Sequence, residues 1–235
     1  MNPHRITRLV AILIVLTFST QLLAKPKQKV PAGGKLAIVV DERLSALRSK
    51  PDLRAALIRR LGRGRLLAVK GVKRNHDGTV FFLVIASRRT QGWIQREAVV
   101  MPSRRGEDAR LSLLIKSSVD FDRIVRARIL LDYFPKSLFR PEVLLMLGDA
   151  AEQLSAKLSH EAERRTRDRS SAPESSFFLN YAGLDRYNRQ NVGFIFDERT
   201  RRLHYDGSAW RELIGRYPRS PQAQEARKRL ALSSR

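Results

Sequence analysis

The spacing of apolar residues changes at Met101-Pro102, and this change constrains the fold more than any other feature of the chain. Before it, apolar residues come in short runs: Leu36 to Val40, Leu66 to Val69, Val80 to Ile85, Trp93-Ile94 and Ala98 to Val100. Asp77-Gly78 stands between the second and third of these, where a tight hairpin needs positive φ and glycine supplies it. Short strands joined so closely predict a small β barrel or sandwich. Pro51 to Leu61 is an exception, predicted as a helix-like stretch led by proline or as an extended loop with one buried leucine.

After Met101-Pro102 the period becomes helical. Phe121, Ile124, Ala127 or Arg128, Leu131 and Phe134 recur at three and four residues, and so do Leu144, Leu147, Ala151, Leu154 and Leu158. Both sets predict amphipathic helices facing a shared core. Ser170-Ser171-Ala172-Pro173 stops the second. Trp210, Leu213, Ile214 and Tyr217 predict a further helix capped by Ser208, and Gln222 to Leu232 a last one. Between them, Phe194 and Phe196 alternate with other residues and Leu203 to Tyr205 face them across a turn, which predicts a β hairpin within Val192 to Gly207.

The first 24 residues stand apart from both patterns. Arg5 and Arg8 precede the apolar run Leu9 to Phe18, and Leu22-Leu23-Ala24 ends in a small residue before Lys25. This is the order of a secretory signal peptide, and the run is shorter than the ~20 residues of a membrane span. Export with cleavage after Ala24 is the expectation, to the periplasm or the cell envelope; an uncleaved amino-terminal anchor is the alternative. Residues 25–35, rich in Lys, Pro and Gly, are expected to form a flexible linker.

The chain carries a formal net charge of +23, which loss of Arg5 and Arg8 with the leader lowers by two, to +21. Such a balance predicts anionic partners. Nucleic acid is rarely met by an exported chain, so cell-wall carboxylates, an acidic peptide or protein surface, or a peripheral contact with lipid phosphates are the partners expected. Part of the charge is equally accounted for as a solvated face. There is no cysteine, so neither disulfides nor thiolate metal sites hold the fold.

A catalytic inventory comes up short. His4 leaves with the leader, His76 sits in the hairpin turn, His160 lacks a second histidine at i+4, and His204 stands beside Tyr205 alone. No serine lies in a G-x-S-x-G elbow, and without cysteine there is no thiol nucleophile. Gly62-Arg63-Gly64 has no third glycine or Lys-Thr and is a turn rather than a phosphate loop; Asp197-Glu198-Arg199 and Asp206-Gly207 lack the acid alternation of a calcium loop. No catalytic residue, metal site or cofactor is expected.

Two basic runs, Arg59-Arg60 with Arg63 and Arg65, and Arg88-Arg89 with Arg96, flank Trp93 in the β half. Arginine beside an aromatic ring stacks on it or pairs with carboxylates. Arg48, Arg88, Arg89, Trp93 and Arg96 are accordingly the candidate ligand-binding residues. A third run, Arg164-Arg165 with Arg167 and Arg169, ends a helix, where cations suit the carboxyl-end dipole.

One internal pair recurs. Phe134-Pro135-Lys136-Ser137 followed by Glu142-Val143 matches Tyr217-Pro218-Arg219-Ser220 followed by Glu225-Ala226, with an insert at about 166–205 between the copies. In each, an aromatic closes one helix, proline stops it and serine begins the next.

Three motifs in the β half resemble bacterial SH3 domains. Ala46 to Pro51 is similar to that family's V-R-S-x-P segment, Leu61-Gly62-Arg63-Gly64 to its L-x-x-G stretch, and Gly92-Trp93-Ile94 to its G-W-V. Leu47-Arg48 and the long Pro51 to Leu61 insert depart from the pattern. The helical half is similar to tetratricopeptide-like envelope proteins through Tyr217 to Ala226 (Y-P-x-S-x-x-A-x-E-A) and Leu147 to Ala150 (L-G-D-A).

These resemblances imply a multidomain chain, β then α. An SH3-like barrel over 36–102 would be followed by a tetratricopeptide-like helical hairpin array over 103–235, interrupted by the hairpin insert. They imply binding rather than catalysis: attachment to cell-wall glycan or peptide by the barrel, and a groove for a protein partner on the helices. In small barrels of this kind Trp93 is expected to pack inward. The competing expectations are an envelope assembly module acting mainly through the helical groove, and a cell-wall enzyme with its site in the insert.

Overall fold

A computed structural model describes residues 31, 33–166 and 183–233. The leader 1–24, residues 25–30 and 32 of the expected linker, and the first part of the insert with Arg167 and Arg169 lie outside the described residues.

Seven strands form one antiparallel sheet: β1 (Lys35–Val39), β2 (Ala46–Arg48), β3 (Leu57–Arg60), β4 (Leu66–Arg74), β5 (Val80–Ser87), β6 (Thr90–Gln95) and β7 (Val99–Val100). Their order is β3-β2-β6-β5-β4-β1-β7. Asp77-Gly78 makes the expected hairpin turn, with Gly78 at φ +84° and the Asn75 amide donating to Thr79 O at 2.9 Å. The ladder ends at β3 and β7 without closing, so the β half is an open sheet where a barrel was expected.

Pro51 to Leu61 is not the helix-like stretch; it fits the extended alternative with one buried leucine, except that its second half is a paired strand. A loop leads into β3, whose residues pair with β2 (Ala46 with Arg60, Leu47 with Arg59), and Leu61 is buried. Leu57, Ile58, Arg59 and Arg60 are all exposed, so no inward-facing alternation marks the strand in sequence.

The sheet buries both faces of β1 and of the start of β4. Ala37 and Val39 of β1 join Leu47, Leu67, Val69, Phe82, Val84, Ile94 and Val99 in one cluster. The alternate residues Ile38 and Val40, with Leu66 and Val100, belong to the helical core. Successive side chains point to opposite faces, and the uninterrupted apolar run Leu36 to Val40 is what a strand buried on both sides requires.

The helices are α1 (Glu107–Lys116), α2 (Asp120–Tyr133), α3 (Arg140–Thr166), α4 (Asp185–Asn188), α5 (Ser208–Arg216) and α6 (Pro221–Ser233). Helix α1 was not foreseen; its buried positions Leu111, Ser112 and Ile115 include a serine, leaving too short an apolar stripe to detect. Ser208 is the first residue of α5 and Gly207, at φ +76°, is its N-cap in place of the expected Ser208; the preceding Asp206 accepts the Ser208 amide through Oδ1 at 2.8 Å.

The repeated aromatic-Pro-x-Ser segments fold alike. The amides of Phe134 and Tyr217 close their helices by donating to Leu130 O and Leu213 O, both at 2.9 Å, and those of Ser137 and Ser220 donate back to the aromatic residue's carbonyl at 3.1 and 3.0 Å. Buried Arg140 then ties the copies together, donating to Tyr217 Oη at 3.0 Å and to Leu131 O at 2.6 Å. Where α3 and α5 pack, a methyl group on Gly148 would collide with the Trp210 indole.

Strands β8 (Phe194–Asp197) and β9 (Arg202–Tyr205) form the expected hairpin, with Phe194 opposite Tyr205 and Phe196 opposite Leu203. The hairpin lies on α3, where Ser159 Oγ accepts the Leu203 amide at 2.8 Å and Glu152 Oε2 the Tyr205 amide at 3.3 Å. Phe121, Tyr187, Phe194, Tyr205 and Trp210 follow one another in edge-on ring contacts. A single buried cluster runs from β1, β4 and β7 through all of these to Ala223 and Ala226 of α6.

Tyr205 makes this packing sensitive to alkali. Burial pushes its hydroxyl up to about 12, against the opposing hydrogen bonds of Ser208 and the Ala209 amide, which donates to Tyr205 Oη at 2.7 Å. A raised folded-state value gives stability that is complete below pH 10 and is lost as pH rises towards 12. Two pH units correspond to about 3 kcal/mol. Urea unfolding at pH 8, 10 and 11.5 is expected to show this loss, and Tyr205→Phe to remove most of it, the part left coming from Tyr133, whose hydroxyl is also raised by burial.

Candidate ligand-binding surfaces

Gly92-Trp93-Ile94 is shaped by the approach of β2 to β6. A Cβ on Gly92 would lie 2.7 Å from Arg48 O and 2.9 Å from both Leu47 Cγ and Ile58 Cδ1, so only glycine lets the strands meet. Ile94 is fully buried on the same side. Alternation therefore turns Trp93 to the outer face, where it is half-buried, against the expectation that it packs inward.

The cross-strand row on that face runs Leu83, Trp93, Arg48, Leu57. Arg48 donates to Ala55 O at 2.7 Å, pinning the loop that follows β2, and Asn75 Nδ2 pins the same loop through Pro51 O at 2.8 Å. Leu53 and Leu57 are 47 % and 52 % exposed. An aromatic ring, a positioned guanidinium and exposed aliphatic groups thus share this side of the sheet. That set can stack on a sugar ring or the apolar part of a peptide while pairing with a carboxylate.

Of the five candidate residues, the structure brings only Trp93 and Arg48 together as neighbours. Arg96 is engaged elsewhere: it lies 3.6 Å from buried Glu107 of α1, which also holds Arg110 at 2.7 Å. Its role is to join the sheet to the first helix. Arg88 and Arg89 are exposed in the turn between β5 and β6.

That turn adjoins a second surface. A concavity of about 270 Å³ is lined by Arg59, Arg60, Leu61, Gly62, Arg63, Arg65, Ala86, Ser87 and Thr90. Arg63 is fixed by Asp122 of α2, at 2.5 and 3.2 Å, and Arg65 by Ala86 O at 2.7 Å. These arginines lie outside the five candidates; the trace in sequence was their basic run around the glycine turn.

Beside it lies the polar joint between sheet and helices. Buried Arg126 of α2 donates to Val40 O at 2.9 Å and Ser118 Oγ at 2.5 Å, and stands 3.7 Å from Asp41. Burial lowers the Arg126 guanidinium from its ordinary value. Burial would raise Asp41, but hydrogen bonds from the Arg43 side chain and amide, with the charges of Arg43 and Arg126, hold its carboxyl below the usual range.

Among the described residues no group of His, Asp and Glu is arranged to hold a metal ion, and no helix is long and apolar enough to cross a membrane. Comparison with family models, curated proteins and solved structures gives no match for this chain.

Proposed function

We propose that this chain is an exported, non-enzymatic binding and scaffold protein of the cell envelope, in which an SH3-like module engages cell-wall glycan or peptide and a tetratricopeptide-like helical module engages a protein partner. The observation that carries the reading is the outward Trp93, flanked by Leu83 and by an Arg48 whose guanidinium is already held in place. Pre-positioned side chains bind without first losing rotamer freedom.

The SH3-like reading is supported by the three motifs occurring in order within one sheet, with Gly92-Trp93-Ile94 on its penultimate strand. The tetratricopeptide-like reading is supported by two helical hairpins, α2–α3 and α5–α6, closed by matching aromatic-Pro-x-Ser turns. Export rests on the residue order of the leader.

Retention of the full-length chain on purified sacculi, titrated with salt, tests the wall-binding part. Retention at low salt that falls at least fivefold in Trp93→Ala is expected. No retention at low salt, or equal retention of the variant, would contradict it.

A further inference from the structure

The arginine-lined concavity serves neither the Trp93 face nor the packing between helices. Its cations come from three consecutive pieces of chain: Arg59 and Arg60 from β3, Arg63 from the turn, and Arg65 from just before β4. Arg63 is neutralised by Asp122, but Arg59, Arg60 and Arg65 make no ion pair among the described residues, and like charges lining one concavity repel one another until an anion binds.

We infer that this concavity is a site for a phosphate group, borne on a lipid head group or a soluble ester. Among the described residues no carboxylate lines it, and Ser87 and Thr90 add hydroxyl donors to those of the four guanidinium groups. The two-residue turn Arg88-Arg89 joins Ser87 to Thr90 and adds two exposed cations beside them.

The arginines are already braced from behind. Arg63 is held by Asp122 and its amide by Glu42 Oε1 at 2.9 Å, Arg65 by Ala86 O, and Arg60 by Arg43 O at 3.3 Å. Each guanidinium has five N–H donors, so donors remain after these bonds.

Phosphate is favoured over carboxylate by geometry and charge. One arginine fork satisfies both oxygens of a carboxylate, whereas a tetrahedral phosphate presents more oxygens, in several directions, and up to two charges. Donors that line one concavity from the strand, the turn and Ser87 and Thr90 match the second case. The volume lies just under the ~300 Å³ at which ligand pockets for whole small molecules begin, which suits a single head group.

The test uses the full-length chain and the Arg59→Ala/Arg60→Ala double variant, which leaves the Arg63–Asp122 and Arg65–Ala86 contacts intact. Calorimetric titration with inorganic phosphate, and separately with acetate, at constant ionic strength is expected to show phosphate binding at least tenfold tighter than acetate. The double variant is expected to lose at least tenfold of it. Phosphate and acetate binding equally, or the variant binding phosphate as well as the parent, would overturn the assignment.

A second arm identifies the bearer of the phosphate. Co-sedimentation with phosphatidylglycerol vesicles that falls in the double variant and is displaced by inorganic phosphate assigns a lipid head group. Phosphate binding in solution with equal sedimentation of both proteins assigns a soluble ester. Both proteins share the apolar leader, so their difference reads only the arginines. Trp93→Ala is expected to bind phosphate normally, which separates this site from the wall-binding surface.

Discussion

Trp210→Ala is expected to lower the unfolding free energy by about 3–5 kcal/mol, the range for deleting a large buried aromatic. The indole is 1 % exposed, lies against Gly148 of α3 and meets Tyr205 edge-on at 5.3 Å. Gly148 has no side chain with which to fill the space left behind. Trp210 Nε1 is buried with no hydrogen-bond partner among the described residues, so Trp210→Phe gives up packing area but no hydrogen bond and is expected to cost far less. Because one buried cluster continues from α5 and α6 into β1, β4 and β7, the sheet is expected to melt with the helices. Urea unfolding followed by circular dichroism and by amide exchange in β1 checks this: a single shifted transition is predicted, and a sheet that survives the loss of the helices would contradict it.

Arg126→Ala is the second large effect, with an expected loss of about 3 kcal/mol. The substitution strands the buried Val40 carbonyl, removes the donor to Ser118 Oγ, whose own hydroxyl still donates to Leu114 O, and leaves Asp41 to Arg43 alone. Arg126→Met keeps most of the aliphatic stem and removes the donors. If the polar joint matters more than the stem, the two variants lose similar amounts; if the stem dominates, Met recovers most of the stability. The same denaturation series distinguishes them.

Much of the architecture was legible from periodicity. The Asp77-Gly78 turn, the five strand runs read before Met101, the helices on Phe121 to Phe134 and Leu144 to Leu158, and the Phe194 to Tyr205 hairpin all have apolar spacings matched to their element, whereas strands β2 and β3 were not read. Features built by contacts distant in sequence were not. Strand β3 shows no alternation because its four residues are exposed on the edge. The outward turn of Trp93 follows from the collision a Cβ at Gly92 would make with Leu47 and Arg48, forty-odd residues earlier in the chain.

The expected division at residue 102 marks a change of period, yet side chains on the two sides of β1 feed two different cores, one of them shared with the helices. The candidate site was legible only in part. Arg96 looks the same in sequence as Arg48, and the Glu107 that engages it lies on a helix that the apolar pattern did not reveal.

The proposed function centres on the outward-turned Trp93, and its fluorescence offers the most direct test. The chain has two tryptophans, and with Trp210 buried the fraction quenched by acrylamide reports Trp93. Titration with soluble peptidoglycan fragments at low salt is predicted to protect that fraction in a saturable manner, and Arg48→Ala to weaken the protection severalfold. Quenching that stays unchanged at every fragment concentration would contradict the account.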